Sequence, residues 1–251
     1  MLREDERLPF TDHLEELRSR LIKSAIAVAA GFTLCYGFKE QLFAVLVFPL
    51  MRVMPEGGKL IFTGLPEAFF TYMKVSFFAG ILLASPVLLY QFWMFVAPGL
   101  YGKERHVLGP VIAITSFFFM AGALFGYFVV FPFGFKFLLG FGSDFIRTLP
   151  SMHEYLDFSI KLLFIFGLLF ELPVLLALLA RLGIVSVDLL KRNRKYAVIG
   201  AFVVGAFLTP DVVSTILMAI PLMILYEIGI FGAKWLTRKK AAAASAEDTP
   251  A

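Results

Sequence analysis

The feature that most constrains the fold is a nineteen-residue apolar run, Leu162 to Ala180, in which Glu171 is the only charged residue. A helix of about 20 such residues is long enough to cross the hydrocarbon core of a bilayer. A charge at that depth costs roughly 2.5–3.5 kcal/mol on insertion scales. Pro173 predicts a bend beside the carboxyl group. The run therefore predicts a membrane-spanning helix whose carboxyl group is either functional or protonated and bonded to a neighbouring helix.

The composition extends this prediction to the whole chain. Of its 251 residues, 59% are hydrophobic and 17% are charged, against about 25% charged residues in a soluble domain. Thirty phenylalanines need lipid or packed helices around them. A single cysteine, Cys35, forms no disulfide framework, and the three histidines lack metal-ligand spacing. We expect an all-α polytopic membrane protein without a metal or cofactor.

Six apolar segments predict six transmembrane helices in one membrane domain, residues 1–240. The predicted spans are about 21–38, 70–97, 108–133, 160–181, 195–209 and 213–235. Sixteen of the 23 Lys and Arg residues lie on one side, so the positive-inside rule places both termini in the cytoplasm. This placement explains the net charge of +4 without a nucleic-acid partner. The polar, alanine-rich end, 241–251, is expected to be a disordered cytoplasmic tail.

Two outside connections stand out. The first, 39–67, is long and partly apolar, which favours short helices on the membrane surface, broken at Pro49 and Pro55. The turn between the fifth and sixth spans is only 209–211 and ends at Asp211. The fifth span has thirteen apolar residues, which reach about 20 Å, whereas the hydrocarbon core is about 30 Å thick. We expect a partner or a locally thinned bilayer beside it.

Catalytic motifs are absent from the sequence. His153-Glu154 lacks the second histidine of the zinc metalloprotease motif, and neither a nucleophile elbow nor a phosphate-binding loop occurs. We therefore predict a protein that is not an enzyme and does not hydrolyse ATP. One alternative is a proton-coupled small-solute transporter that uses Glu171, although the spans offer few polar residues to line a path. A second alternative, an intramembrane protease, lacks a nucleophile and base.

Two acidic residues lie on the predicted cytoplasmic side. Glu16 belongs to a short amphipathic helix over residues 10–21, where an i,i+4 pair with Arg20 is its structural explanation. Glu104 follows the second span, and its structural explanation is a solvated loop charge.

Seven motifs follow one another along the chain. They are His13-Leu14-x-Glu16-Leu17-Arg18-x-Arg20, Ser85-Pro86-x5-Phe92-Trp93-x-Phe95-x2-Pro98-Gly99-Leu100-Tyr101-x2-Glu104-Arg105, Phe131-Pro132, Phe170-Glu171-x-Pro173, Gly200-Ala201-Phe202, Thr209-Pro210-Asp211 with Ser214, and Ala219-Ile220-Pro221-x4-Tyr226-Glu227. From about Phe10 to Trp235 the chain thus resembles the TatC family, the multi-spanning receptor subunit of the twin-arginine protein translocase.

The resemblance implies a glove-shaped bundle of six helices in the prokaryotic cytoplasmic (inner) membrane. It also implies a receptor for the signal peptides of folded cargo, which carry paired arginines. Glu16 and Glu104 match the two acidic residues that receive those arginines. Phe95 matches an aromatic residue of the same site, and Arg18 lies in the same motif as Glu16. Arginine suits such a site because its planar guanidinium forms two parallel bonds to a carboxylate, which lysine cannot do.

The resemblance also implies single-span partners, TatB and TatA, that dock on the fifth and sixth spans of a homo-oligomer within a hetero-oligomeric complex. Val204 and Met218 are candidate contacts there. Thr215 stands where many members carry Gln, which puts a role for an amide in doubt. Glu171 is the family's intramembrane acid and a candidate polar contact for a partner. Pro49 and Asp211 are expected to shape the outside face.

Overall fold

The computed structural model describes residues 10–54, 60–61, 64–96, 108–140, 150–208 and 212–247. Within these ranges the regular elements are helices, and the only β-type contact is an isolated parallel bridge between Ile61 and Ser151. The predicted all-α class is therefore confirmed. In chain order the helices are α1 (Phe10–Tyr36), α2 (Lys39–Met51), α3 (Glu67–Val96), α4 (Leu108–Phe125), a π-helical segment (Gly126–Val130), α5 (Phe131–Leu139), α6 (Met152–Phe170), α7 (Leu172–Arg181), α8 (Val187–Arg192), α9 (Arg194–Leu208) and α10 (Val212–Glu247).

Several of these helices are long and apolar enough to cross a membrane. Among the described residues there are four such stretches: Glu67–Phe95, Gly109–Phe137, Met152–Arg181 and Met218–Arg238. A fifth is present if the helix pair His13–Tyr36 and Lys39–Met51, bent by 85°, counts as one span. The chain is thus a multi-pass membrane protein. The count of six spans and the cytoplasmic position of both termini stay predictions.

The contacts of the chain form two compact units. The first contains the chain up to Phe43 together with Tyr72–Ser116, and the second contains Ala44–Thr71 and the chain from Phe117 onward. In the first unit α1 and α3 touch backbone to backbone. A Cβ added to Gly31 would lie 2.6 Å from the carbonyl oxygen of Gly80, so this approach requires glycine. Small residues commonly allow such close helix contacts in membranes.

In the second unit, α6 and α7 replace one continuous helix. α6 ends at Phe170 and α7 begins at Leu172, so the helix is interrupted at Glu171, as Pro173 predicted. α6 lies against α4, where a Cβ on Gly122 would overlap the carbonyl oxygen of Phe166. α10 packs against α7, α8 and α9. Its core with α7 and α8 is formed by four buried side chains, Ala180, Leu190, Ile230 and Ala233.

The course of α2 differs from the prediction. The helix continues through Pro49 to Met51, so the expected break at Pro49 is wrong. Proline has no backbone N–H and therefore leaves the carbonyl of Val45, four residues earlier, without its helical donor. The hydroxyl of Tyr127 donates to that carbonyl oxygen at 2.6 Å. The substitute bond explains how α2 tolerates the proline. Pro55, the second expected break, lies outside the described residues.

The last helix is longer than expected. α10 runs on to Glu247, beyond residue 240, where the sequence placed the end of the membrane domain. Residues 241–244 are alanines, which have the highest intrinsic helix propensity. Propensity therefore favours continuation of the helix even where composition indicates a solvated tail.

Candidate functional site

The N-terminal motif forms a face with the end of α3. His13, Glu16 and Arg20 lie on α1 at spacings of three and four residues, so they share one side of that helix. Gln91 and Phe95, also four residues apart, lie on α3. We call these five residues the α1–α3 face.

The contact between Gly31 and Gly80 explains the register of this face. Arg20 lies eleven residues before Gly31, and Gln91 lies eleven residues after Gly80. At 1.5 Å per residue, each residue lies about 16 Å along its helix from the glycine contact. Arg20 and Gln91 therefore lie at the same height along the helix pair. Nη1 of Arg20 donates to Oε1 of Gln91 at 3.3 Å.

Glu16 is bound by an arginine of its own helix. Nε of Arg20 donates to Oε1 of Glu16 at 3.0 Å, and Nη2 donates to the same oxygen at 2.5 Å. The side chain of Arg20 is 16% exposed and that of Glu16 is 28% exposed. The i,i+4 pair expected from the sequence is thus present. One guanidinium connects the carboxylate of α1 with the amide of α3.

The aromatic residue of the face also has a partner. The ring of Phe95 stacks on His13, with 4.5 Å between ring centroids and 19° between the planes. Arg18 is exposed. Trp93, two residues before Phe95, is buried, and within the described part of the chain its indole nitrogen has no hydrogen-bond partner.

Glu104 lies outside the described residues, so the structure places one of the two predicted acidic residues.

Glu171 occupies the interruption between α6 and α7. Its backbone N–H donates to the carbonyl of Leu168 at 3.1 Å, and its own carbonyl accepts from Leu175 at 2.9 Å. Its Oε1 is buried and has no hydrogen-bond partner among the residues that the structure describes. The carboxyl group lies beside the backbone of Phe119 in α4. Glu171 therefore carries unused hydrogen-bonding capacity inside the apolar part of the second unit.

The predicted partner contacts on α9 and α10 fall into two groups. Met218 and Thr215 are 8% and 9% exposed and face α9, where a Cβ on Gly205 would meet the carbonyl of Thr215 at 2.9 Å. Val204 is partly buried against the cluster that joins α9 and α10. The exposed apolar residues of these helices instead include Val203, Phe207, Ile216 and Ile220. Asp211 lies outside the described residues.

Glu227, the second carboxylate predicted within a span, is paired. Nη2 of Arg194, at the start of α9, lies 2.7 Å from its Oε2, and both side chains are about half exposed. A groove of about 560 Å³ borders Glu227 and is otherwise lined by apolar side chains: Ile220, Met223, Ile224, Ile228 and Phe231. This pair ties the beginning of α9 to the middle of α10.

The predicted outside face contains hydrogen bonds that the sequence did not predict. Oε1 of Glu67 accepts from the backbone N–H of His153 at 2.9 Å and from the hydroxyl of Ser151 at 3.3 Å, which satisfies the N-terminus of α6. The hydroxyl of Tyr155 donates to the carbonyl of Leu46 at 2.6 Å. These contacts leave no signal in the sequence, since the proline inside α2 indicates only that the carbonyl of Val45 needs a substitute donor. Gln91 did have a signal, since it lies one helical turn from Phe95.

Comparison with known proteins identifies similar chains. The family model described as Sec-independent protein translocase protein (TatC) matches residues 12–221. A protein of that name from Desulforapulum autotrophicum is 58% identical over 96% of this chain and 89% of its own length. The Escherichia coli K12 protein of that name is 40% identical over 92% of this chain and 90% of its own. A crystal structure of a twin-arginine translocase receptor, TatC, superposes with a TM-score of 0.76 at 42% identity and covers 90% of this chain and 99% of that one.

Proposed function

Because this chain belongs to the TatC family of Sec-independent protein translocase proteins, which are transport components and not enzymes, we propose that it is the signal-peptide receptor and core scaffold of a twin-arginine translocase. It binds the paired arginines of signal peptides on folded cargo and organises single-span partner subunits. It does so in the prokaryotic cytoplasmic membrane and without ATP hydrolysis.

The observation that carries this proposal is the arginine bound to Glu16. Two N–H groups of Arg20 reach one oxygen of that carboxylate, at 3.0 and 2.5 Å. The site thus already has the geometry and partial dehydration that a guanidinium needs. An exposed ion pair is worth only about 0–1 kcal/mol, so partial burial supports stronger recognition than a solvated loop charge would give.

The remaining site residues have distinct roles in the proposal. Glu104 supplies the carboxylate for the second arginine of the signal. Phe95 offers an apolar surface beside the first, where a guanidinium can also stack on an aromatic ring. Arg18, exposed on α1, is placed to contact acidic or polar groups that flank the signal motif.

The partner surface consists of the outer sides of α9 and α10. α9 has fifteen residues and reaches about 22 Å, so lipid covers its apolar surface poorly. Association with a partner helix relieves this mismatch. The partner then meets Val203, Phe207, Ile216 and Ile220, next to Val204, while Met218 and Thr215 support the contact from beneath. Cross-links from Ile220 to a single-span subunit in native membranes are expected. Cross-links that form only from α4 would move the interface.

Glu171 provides the polar element of the proposed partner contact. A protonated carboxyl group inside the membrane can donate a hydrogen bond to a polar group of a partner helix. Glu171→Gln keeps a donor and should support transport, whereas Glu171→Ala should weaken partner association and leave signal binding intact. Equal transport by Glu171→Ala and the parent protein would exclude this role.

Signal-peptide binding to the full chain in lipid nanodiscs tests the receptor function. A fluorescent peptide with paired arginines is titrated against the parent protein, Glu16→Gln and Glu104→Gln. Each substitution removes the charge that strengthens the arginine bonds, so affinity should fall about threefold or more. Glu15→Gln is the matched control, because Glu15 is an exposed neighbour that carries the same charge. Unchanged affinity in both Glu16→Gln and Glu104→Gln would contradict the proposal.

The transporter alternative loses its support. It depended on Glu171 as a proton carrier, but the relatives are named as protein translocase components. A receptor should retain twin-arginine peptides in a pulldown, whereas a solute transporter should not.

A further inference from the structure

The guanidinium that occupies Glu16 is chemically identical to the groups that the proposed signal would bring. Resting on the proposed function, we infer that Arg20 is an internal competitor for the signal-binding carboxylate, and that Gln91 is the acceptor that holds Arg20 after the signal arginine has displaced it. The Glu16–Arg20–Gln91 cluster therefore sets how strongly a ligand must interact with Glu16 in order to displace Arg20.

The hydrogen bonds define the competition. Both bonds from Arg20 to Glu16 end on Oε1, and among the described residues Oε2 receives none. An incoming guanidinium that uses both oxygens, as arginine–carboxylate pairs commonly do, must take Oε1 from Arg20. The positive charge of Arg20 also opposes the approach of a second cation. Arg20 therefore lowers the affinity of the site for every cationic ligand.

The competitor is held weakly enough to be displaced. Arg20 reaches only one oxygen of Glu16, and an i,i+4 pair on one helix brings no contacts beyond the pair itself. A signal arginine gains the same kind of bonds to Glu16 and, in addition, the contacts of its neighbouring residues. Displacement is thus within the reach of a ligand that forms two parallel bonds.

After the signal arginine has displaced Arg20 from Glu16, Gln91 still provides a hydrogen-bond acceptor for Arg20. Its amide oxygen already accepts from Nη1 of Arg20 at 3.3 Å. A neutral amide is a weaker acceptor than a carboxylate, so this bond alone does not draw Arg20 away from Glu16. When the signal takes Glu16, Arg20 retains the bond across to α3.

The cluster also favours arginine over lysine in the ligand. An ammonium group is a compact, strongly hydrated charge that does not reproduce the planar fork of a guanidinium. A lysine ligand therefore displaces Arg20 less readily than an arginine ligand does. Removal of Arg20 should raise the affinity for a paired-lysine peptide by a larger factor than the affinity for a paired-arginine peptide.

Peptide titrations with the full chain in zwitterionic nanodiscs test this inference. The variants are Arg20→Gln, Glu16→Gln, the double variant and Lys23→Gln. Arg20→Gln should bind the paired-arginine peptide about twofold to fivefold more tightly than the parent, and the paired-lysine peptide by a larger factor. This gain should shrink by at least half in the Glu16→Gln background. Lys23→Gln removes an exposed positive charge one turn away and should leave both affinities nearly unchanged.

Substitution of Gln91 separates this role from simple helix packing. Gln91→Met preserves the length of the side chain but removes the acceptor. Signal affinity should fall about twofold in the parent background, because displaced Arg20 then lacks a partner, and should not fall in the Arg20→Gln background. A packing role would lower affinity equally in both.

The outcomes distinguish the inference from the function on which it rests. If Glu16→Gln weakens binding and Arg20→Gln weakens it or leaves it unchanged, Arg20 supports the site and the competitor role is wrong. If Glu16→Gln binds as tightly as the parent, the proposed site itself is wrong. Arg20→Lys, which keeps the charge but not the fork, gives a second competitor variant should Arg20→Gln fail to fold.

Discussion

At the scale of single residues, the hydroxyl of Tyr127 compensates for the hydrogen bond that Pro49 removes from α2. The carbonyl of Val45 would be an unsatisfied acceptor without it. A hydrogen bond at an exposed position of this kind contributes about 0.5–1.5 kcal/mol. Pro49 and Tyr127 should therefore act as a pair.

We predict that Tyr127→Phe lowers the free energy of unfolding by about 0.5–1.5 kcal/mol. Pro49→Ala should restore most of that loss in the Tyr127→Phe background, because alanine supplies the missing N–H to Val45. Thermal unfolding in detergent measures both effects, and Tyr90→Phe, at an exposed tyrosine of α3, is the control. Additive losses in the double variant would contradict the pairing.

The sequence predicted some of these residues and not others, for physical reasons. Glu16 and Glu171 stand out because a charge in or beside an apolar segment needs an explanation. Tyr127 and Glu67 do not, because their partners lie more than 80 residues away along the chain. A hydroxyl or a carboxylate with an ordinary position in its own helix leaves no local pattern.

At the scale of helices, the contact between Gly31 and Gly80 positions the α1–α3 face. A Cβ on Gly80 would lie 2.6 Å from the backbone nitrogen of Phe32, which is closer than side-chain carbons come to backbone. The helices would have to separate. Arg20 and Gln91, about 16 Å along each helix from the contact, would then move apart.

We predict that Gly80→Ala weakens twin-arginine peptide binding severalfold and lowers stability by about 1–3 kcal/mol, as overpacking does. Gly134→Ala is the control, because a Cβ there meets nothing within 4 Å. Peptide titration and thermal unfolding are measured on both variants. Parent-like binding by Gly80→Ala would show that the register of α1 and α3 does not depend on this contact.

Helix lengths were partly readable from the sequence. The short fifth span was predicted from thirteen apolar residues, and α9 has fifteen. The stretch of α10 from Val212 to Glu227 has nearly the same length, and the ion pair between Arg194 and Glu227 connects the first residue of α9 to the last residue of this stretch. The sequence marked Glu227 only as a second carboxylate in a span, because its partner lies 33 residues away.

At the scale of the whole molecule, the distribution of Lys and Arg carries the prediction of topology. With Cys35 replaced by serine, a membrane-impermeant thiol reagent should modify a cysteine placed at Pro55 or Thr148 from outside. It should not modify one at Gly102 or Asn193, which the positive-inside rule places in the cytoplasm. Labelling of the second pair in sealed cells would overturn the predicted orientation.

The fold class and the family were predictable from the sequence because hydropathy and seven ordered motifs extend over most of the chain. The division of contacts into two units was not, since helix packing depends on which small residues face each other. Gly31, Gly80 and Gly122 look alike in sequence to Gly134, yet only the first three lie against a neighbouring backbone.

The central claim is that the carboxylates of Glu16 and Glu104 receive the signal arginines, and site-specific photo-cross-linking in membrane vesicles tests it most directly. A signal peptide with a photoreactive residue beside its paired arginines is bound to the full chain, and the linked segments are identified by mass spectrometry. We predict links to the segment around Glu16 and to residues 91–107, lost when the arginines are replaced by lysines or when Glu16 is replaced by Gln. Links that map to the outside connection 39–67, or that persist unchanged with paired lysines, would contradict the account.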